Sequence, residues 1–134
     1  MDIREYDGFR EAEILRLYES VGWTAYTDDR DALRRGFAQS LLVLGAYEGE
    51  RLLGLIRAVG DGHTVVFIQD LLVSPEEQRK GIGTALVKEL LSRFPRVRQI
   101  QLTTDRGPET TAYYRSLGFA ELSVLGCCGF MLVR

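Results

Sequence analysis

Cysteine is scarce in this sequence and histidine scarcer: Cys127 and Cys128 are the only two thiols, and His63 is the only imidazole. Adjacent cysteines are poorly placed to bridge each other, so no disulfide framework is expected, in keeping with a reducing compartment. One histidine beside a turn, with no cysteine at zinc spacing, predicts no metal site. Neither charge sign dominates. With 17 Lys and Arg against 19 Asp and Glu, the net charge is −2, and the basic excess that neutralises many phosphates is missing. Nucleic acid is therefore not an expected partner. No stretch approaches the roughly eighteen apolar residues of a membrane span. The charged opening MDIREYDGF has no apolar leader segment, and a cytoplasmic protein with no membrane partner is expected. Catalytic and nucleotide signatures are missing too. There is no Gly-x-Ser-x-Gly elbow and no Gly-Lys-Ser/Thr of a Walker loop, and Leu86 stands where a dinucleotide fingerprint needs a third glycine.

What is present is enough for a core. The 134 residues are 46% hydrophobic and 27% charged, which predicts one globular domain over residues 1–134. Its organising stretch is VVFIQDLLVSPEEQRKGIGTALVKELL, residues 65–91. The β-branched run Val65 to Val73, closed by Ser74-Pro75, reads as a buried strand, and a helix follows it. Between them lies Gln78-Arg79-Lys80-Gly81-Ile82-Gly83. Two glycines and two cations there meet a helix start whose first N–H groups lack intrahelical partners, a combination that suits phosphate.

The string LLVSPEEQRKGIGTAL resembles the acetyl-CoA-binding motif of the GNAT family of N-acetyltransferases, and Ala112-Tyr113-Tyr114-Arg115-Ser116-Leu117-Gly118-Phe119 resembles that family's second signature. The resemblance implies an α/β (α+β) fold of about seven strands, mostly antiparallel with a central parallel pair, flanked by four helices. It implies acetyl-CoA as cosubstrate. The pantetheine arm would lie as a pseudo-strand along main-chain groups of Leu71, Leu72 and Val73, and the pyrophosphate against N–H groups from Arg79 to Thr84, through Lys80, Gly81, Ile82 and Gly83, after Gln78. Tyr114 matches the family's proton-donating tyrosine. Gly107 is a departure, since many members hold pantetheine with an asparagine there.

Read in order, Met1 to Tyr6 is expected as a first strand and Asp7 as the cap of a helix running to about Val21, whose Ile14, Leu17, Tyr18 and Val21 form a core-facing stripe. Trp23 and Tyr26 occupy an irregular link before a helix from Asp28 or Asp29 to Gln39. Two roles are open to them: framing the acceptor amine, as the resemblance implies, or simple packing. Leu41 to Tyr47 and Arg51 to Val59 form a hairpin, and Arg98 to Thr104 is a parallel partner of the central strand. Pro108 begins a last helix that Gly118 ends, and Phe119 to Leu122 with Cys128 to Val133 makes a final hairpin.

The expected reaction moves acetyl from acetyl-CoA directly to a primary amine of a small molecule, in a ternary complex. An alkylamine of pKa near ~10.4 is neutral in about one molecule per few thousand at pH 7, so a base or water chain helps. Tyrosine at about 10 is a weaker acid than a thiol near ~8.5, so full transfer to the leaving thiolate is uphill by about 2 kcal/mol. Strict alternation puts Phe67 and Gln69 on one face of the central strand and Asp70 on the other. Members often carry a Glu or His where Phe67 and Gln69 stand, so the base is left among Gln69, Asp70 and ordered water. Asp70 has a second open role as a hydrogen-bonded structural group. Two rival readings remain: a protein amino-group acetyltransferase, and a non-catalytic acyl-CoA sensor. Pairing as a homodimer is a further expectation.

Overall fold

Alternating short strands and amphipathic helices fold, in a computed structural model that describes residues 1–134, into a five-stranded sheet with helices packed upon it. β1 (Asp2–Glu5), β2 (Leu42–Glu48), β3 (Arg51–Gly60) and β4 (Val65–Val73) are antiparallel neighbours in that order, and β5 (Gln99–Leu102) lies parallel to β4 at the edge. The hairpin between β2 and β3 closes over Gly49 and Glu50, as the sequence predicts, with Gly49 at φ +61.

Before the sheet come α1 (Glu11–Ser20), the single turn α2 (Thr24–Thr27) and α3 (Arg30–Ala38). Ile14, Leu17 and Tyr18 of α1, with Leu33 and Phe37 of α3, join Val43, Tyr47, Leu52, Leu55 and Leu72 of the sheet in one apolar cluster. Leu44, Ala46 and Ile56 alternate with these strand residues, point the other way, and are fully buried. The helix that packs on β2, β3 and β4 from that side is α4 (Ile82–Arg93), through Ile82, Leu86, Val87 and Leu90.

The chain forms two compact units, Met1–Leu102 and Thr103–Arg134. In the second, α5 (Pro108–Ser116) starts on Pro108 as expected and ends where Gly118 turns at φ +96, its N–H donating to the Arg115 carbonyl.

Three expectations need correction. The first helix starts at Glu11, and Asp7 does not cap it, because Gly8 at φ +75 and an extended Arg10 intervene. The sheet has five strands instead of seven, and there are five α-helices instead of four. The additional helix is α2, in the link read as irregular. The missing strands are those of the last hairpin: Leu122–Leu125 is a 3-10 turn ended by Gly126 at φ +78, and residues 127–134 join no ladder. Apolar content alone suggested strands there, but a strand exists only with a partner, and Phe130, Met131, Leu132 and Val133 are exposed.

Candidate active site

Two features of β4 and α4 set the geometry. The β4–β5 ladder runs from Val65↔Gln99 to Ile68↔Leu102 and stops. From Gln69 to Val73 that side of β4 has no strand partner, while the other side stays paired to β3 from Asp70 onward. Leu71 and Val73 are half-buried there and Leu72 is in the core, so what this edge has to offer is main-chain groups.

After Ser74 a 3-10 turn, Pro75–Glu77, leads into Gln78, whose side-chain amide donates to the Val73 carbonyl at 3.1 Å. Arg79 and Gly81 both take left-handed backbone, at φ +65 and +82, on either side of Lys80. Such turns make main-chain N–H groups converge into an anion-binding concavity. Gly81 is the N-cap of α4 and offers no side chain to satisfy the N–H groups of the first turn, where Ile82, Gly83 and Thr84 stand. A Cβ placed on Gly81 would meet nothing within 4 Å, so the space above it is open. The residues therefore fit a pyrophosphate. The two cations differ: Lys80 is drawn to Glu77 at 3.0 Å, while Arg79 is exposed and makes no ion pair. Glu77 also receives Arg51 at 2.6 Å, and the hydrogen bonds from Lys80 and Arg51 hold its carboxyl below the ordinary range.

The second assembly lies where β4 changes phase. Asp70 is opposite Arg57, yet Ile68 is opposite Ala58, so Gln69 is an extra residue without a counterpart on β3. Side chains at 57 and 58 point to opposite faces, and so do those of Asp70 and Ile68. This corrects the alternation expected from sequence. Phe67, opposite Val59, shares the Arg57 and Asp70 face, and Gln69 reaches the same group of residues as Asp70.

That group is a closed polar network under α1 and α2. Tyr18 Oη donates to Asp70 Oδ2 at 2.9 Å, Arg57 Nε donates to the same oxygen at 2.7 Å, and Tyr26 Oη donates to Oδ1 at 2.6 Å. Gln69 Nε2 in turn donates to Tyr26 Oη at 2.9 Å. Burial pushes the Tyr18 hydroxyl far above its usual range, with the Asp70 charge adding to it. Burial also raises Tyr26, and its bond to Asp70 raises it further. For Arg57, burial works to lower the value, and the charge and hydrogen bond of Asp70 together with the neighbouring Tyr18 and Tyr26 outweigh it, so the net shift is upward. Trp23 packs in the same place, 6.0 Å from the Tyr18 ring and 6.2 Å from that of Tyr26, half-buried.

The sequence reading singled out Trp23, Tyr26, Gln69 and Asp70, and the structure brings them together. It treated Tyr18 as core and passed over Arg57 and Ser40, whose hydroxyl is 3.2 Å from Arg57 Nη1. Their signal was available. An arginine in LLGLIRAVG and an aspartate in VVFIQDLLV are opposite charges inside two apolar strands joined by a turn, and buried charges need partners.

Tyr114 belongs to the second unit. Its half-buried ring meets Tyr113 at 5.1 Å and Phe119 at 5.9 Å, both edge-on, which accounts for the aromatic spacing of the Ala112–Phe119 motif. Its hydroxyl makes no hydrogen bond within the chain, and burial, then the neighbouring Tyr113, raises its pKa. Gly107 is the extended residue before α5 and supplies no side-chain cap.

A parallel pair in which one strand runs on past the end of the ladder, followed by a glycine-led helix start, is the frame of the acyl-CoA acyltransferase class. Residues 8–119 match the Acetyltransferase (GNAT) family, and the chain belongs to that family. A GNAT family acetyltransferase from Streptococcus pneumoniae TIGR4 is 38% identical, with a TM-score of 0.89 over 99% of this chain and 97% of that one. An uncharacterized N-acetyltransferase, ycf52, of Porphyra purpurea is 27% identical over 81% of this chain. The match spans 64% of that relative's length. A histone acetyltransferase of Glycine max, TAP1, is 33% identical over 54% of this chain and 31% of its own length.

Proposed function

We propose that this chain moves an acetyl group from acetyl-CoA directly to a primary amine of a small molecule. The observation that carries the reading is the end of the β4–β5 ladder at Ile68 and Leu102, which leaves that side of Gln69 to Val73 without a strand partner, in the same unit as the Arg79–Gly83 concavity. Acetyl-CoA supplies the activated acyl group. Main-chain groups of Leu71 to Val73 hold the donor's arm and the first turn of α4 holds its pyrophosphate.

Asp70 supports a positioning role better than proton abstraction. Three donors already engage its two oxygens, so what it does best is fix Tyr26. The exposed Gln69 is left to orient a water that receives the amine proton, beside Phe67, Trp23 and Tyr26 as the walls of the acceptor site. Tyr114 donates to the leaving sulfur. Because burial has raised its pKa, full proton transfer costs more than the about 2 kcal/mol of a free tyrosine, which favours hydrogen-bond donation.

Relatives alone leave the acceptor class open, since one is named for histones and a solved aminoglycoside acetyltransferase from a soil metagenome, 24% identical, shares the fold. Thiol release from acetyl-CoA with a panel of small amines, and with lysine-bearing peptides, tests the reading. Turnover is expected with small amines. Turnover confined to peptides favours a protein modifier, and none with either, while coenzyme A still binds, favours a sensor. Self-association belongs to the same proposal: a second copy would cover the exposed Phe130 to Val133, and sedimentation should give a lighter species when Phe130→Asp and Leu132→Asp are combined.

A further inference from the structure

Behind Tyr26 lies a cavity of about 250 Å³, lined by Ala25, Tyr26, Asp29, Ala32, Gly36 and Arg57, between α2, α3 and β3. Its floor is a guanidinium. The Arg57 side chain is 7% exposed, and its fork carries five N–H donors. Nε is spent on Asp70 and one Nη1 donor on Ser40. Counting the Tyr18 hydroxyl beside it as a further acceptor still leaves N–H donors of the fork uncommitted where the guanidinium lines the cavity. The cavity is the opening that Arg57 lines. Gly36 makes the room: a Cβ there would come within 3.3 Å of Arg57 Nη1.

A planar donor fork at the base of a pocket recognises a carboxylate. The local charge sets the limit. Asp70 already balances Arg57, and the Asp29 carboxylate also lines the cavity while capping α3 through the Ala32 N–H at 3.1 Å. With two carboxylates already against one cation, a dianion such as phosphate would add the larger negative excess; a single carboxylate adds less, and an ammonium on the same molecule offsets it.

Tyr26 connects this pocket to the reaction site. It lines the cavity, and its hydroxyl bonds to Asp70 and to Gln69, the residue at which β4 leaves β5. We infer that the acceptor is an amino acid or a similar small amine bearing a carboxylate, with the carboxylate in the Arg57 cavity and the amine beside Gln69. This rests on the transferase reading for what becomes of the amine, and on the cavity alone for the carboxylate.

The two parts separate in the test. Phenylalanine, phenylalaninamide and phenethylamine share one skeleton, and so do 4-aminobutanoate and butylamine. Binding of each is read by calorimetry without acetyl-CoA, and turnover by thiol release. The carboxylate-bearing members should bind at least tenfold tighter than the amide and the plain amine. Ala32→Phe, which fills the cavity, and Arg57→Lys, which keeps the charge and removes the fork, should each abolish that preference, with unfolding curves showing that both variants fold. Equal binding by acid, amide and amine, or no binding by any, overturns the carboxylate pocket. Turnover without a preference for the acids leaves the transferase standing and the pocket refuted. Binding of the acids that Ala32→Phe removes, with no thiol released by any amine, does the reverse.

Discussion

Across one rung of the sheet, Arg57 and Asp70 bury opposite charges, and two tyrosine hydroxyls share the carboxylate. Such a pair adds little to stability compared with an apolar pair of the same size, but losing one member strands the other in the core. Asp70→Asn should therefore lower the unfolding free energy by about 3 kcal/mol or more, seen as a fall in the urea midpoint. If Asp70 were the base instead, the same substitution would abolish turnover with the midpoint unchanged. For Tyr114 the expectation is opposite in kind. Its hydroxyl bonds to nothing in the chain, so Tyr114→Phe should leave the urea midpoint within experimental error. Thiol release should fall by roughly a hundredfold or more, with coenzyme A binding kept in calorimetry.

The turn before α4 puts two residues in left-handed backbone, and only one of them is a glycine. Gly81 at φ +82 tolerates no side chain without strain, so Gly81→Ala should cost about 1 kcal/mol and weaken coenzyme A binding by disturbing the N–H concavity. Arg79 at φ +65 pays that strain already. Arg79→Gly should stabilise the fold by up to about 1 kcal/mol while raising the dissociation constant for coenzyme A and flattening its salt dependence, a split that thermal melts and salt-varied titrations read separately. This element was legible in the sequence, because glycines and a proline punctuate it and the helix behind it is strongly apolar. The phase change at Gln69 was not. Buried residues keep alternating with half-buried or exposed ones through the bulge, and only the register to β3 shows that Asp70 and Ile68 face apart. The polar network was legible in part: Asp70 stood out as a charge in an apolar run, but its partners come from α1, α2 and β3, which no local pattern connects. In the last hairpin, apolar residues were read as strands where no ladder exists to receive them.

Phenols hold much of the protein together, and that gives the whole molecule a pH signature. Of its 6 tyrosines, five (Tyr6, Tyr18, Tyr26, Tyr47 and Tyr114) have hydroxyls raised above the ordinary value, in each case first by burial. Unfolded tyrosine ionises at about 10. Above that pH the unfolded chain sheds protons that the folded chain keeps, so the folded state binds more protons and its stability falls as pH rises. Below about 10 both states are protonated and this contribution is complete. Melting temperature should thus begin to fall near pH 10, and tyrosinate absorbance should rise together with the loss of helical circular dichroism. Tyr18 is the most deeply buried of the five, so Tyr18→Phe should make the alkaline fall shallower even though the variant starts less stable for want of its bond to Asp70. Tyrosinate growing in near pH 10 over an intact fold, in an amount that Tyr18→Phe reduces, would mean that the Tyr18 hydroxyl reaches water and that the network around Asp70 does not hold in solution.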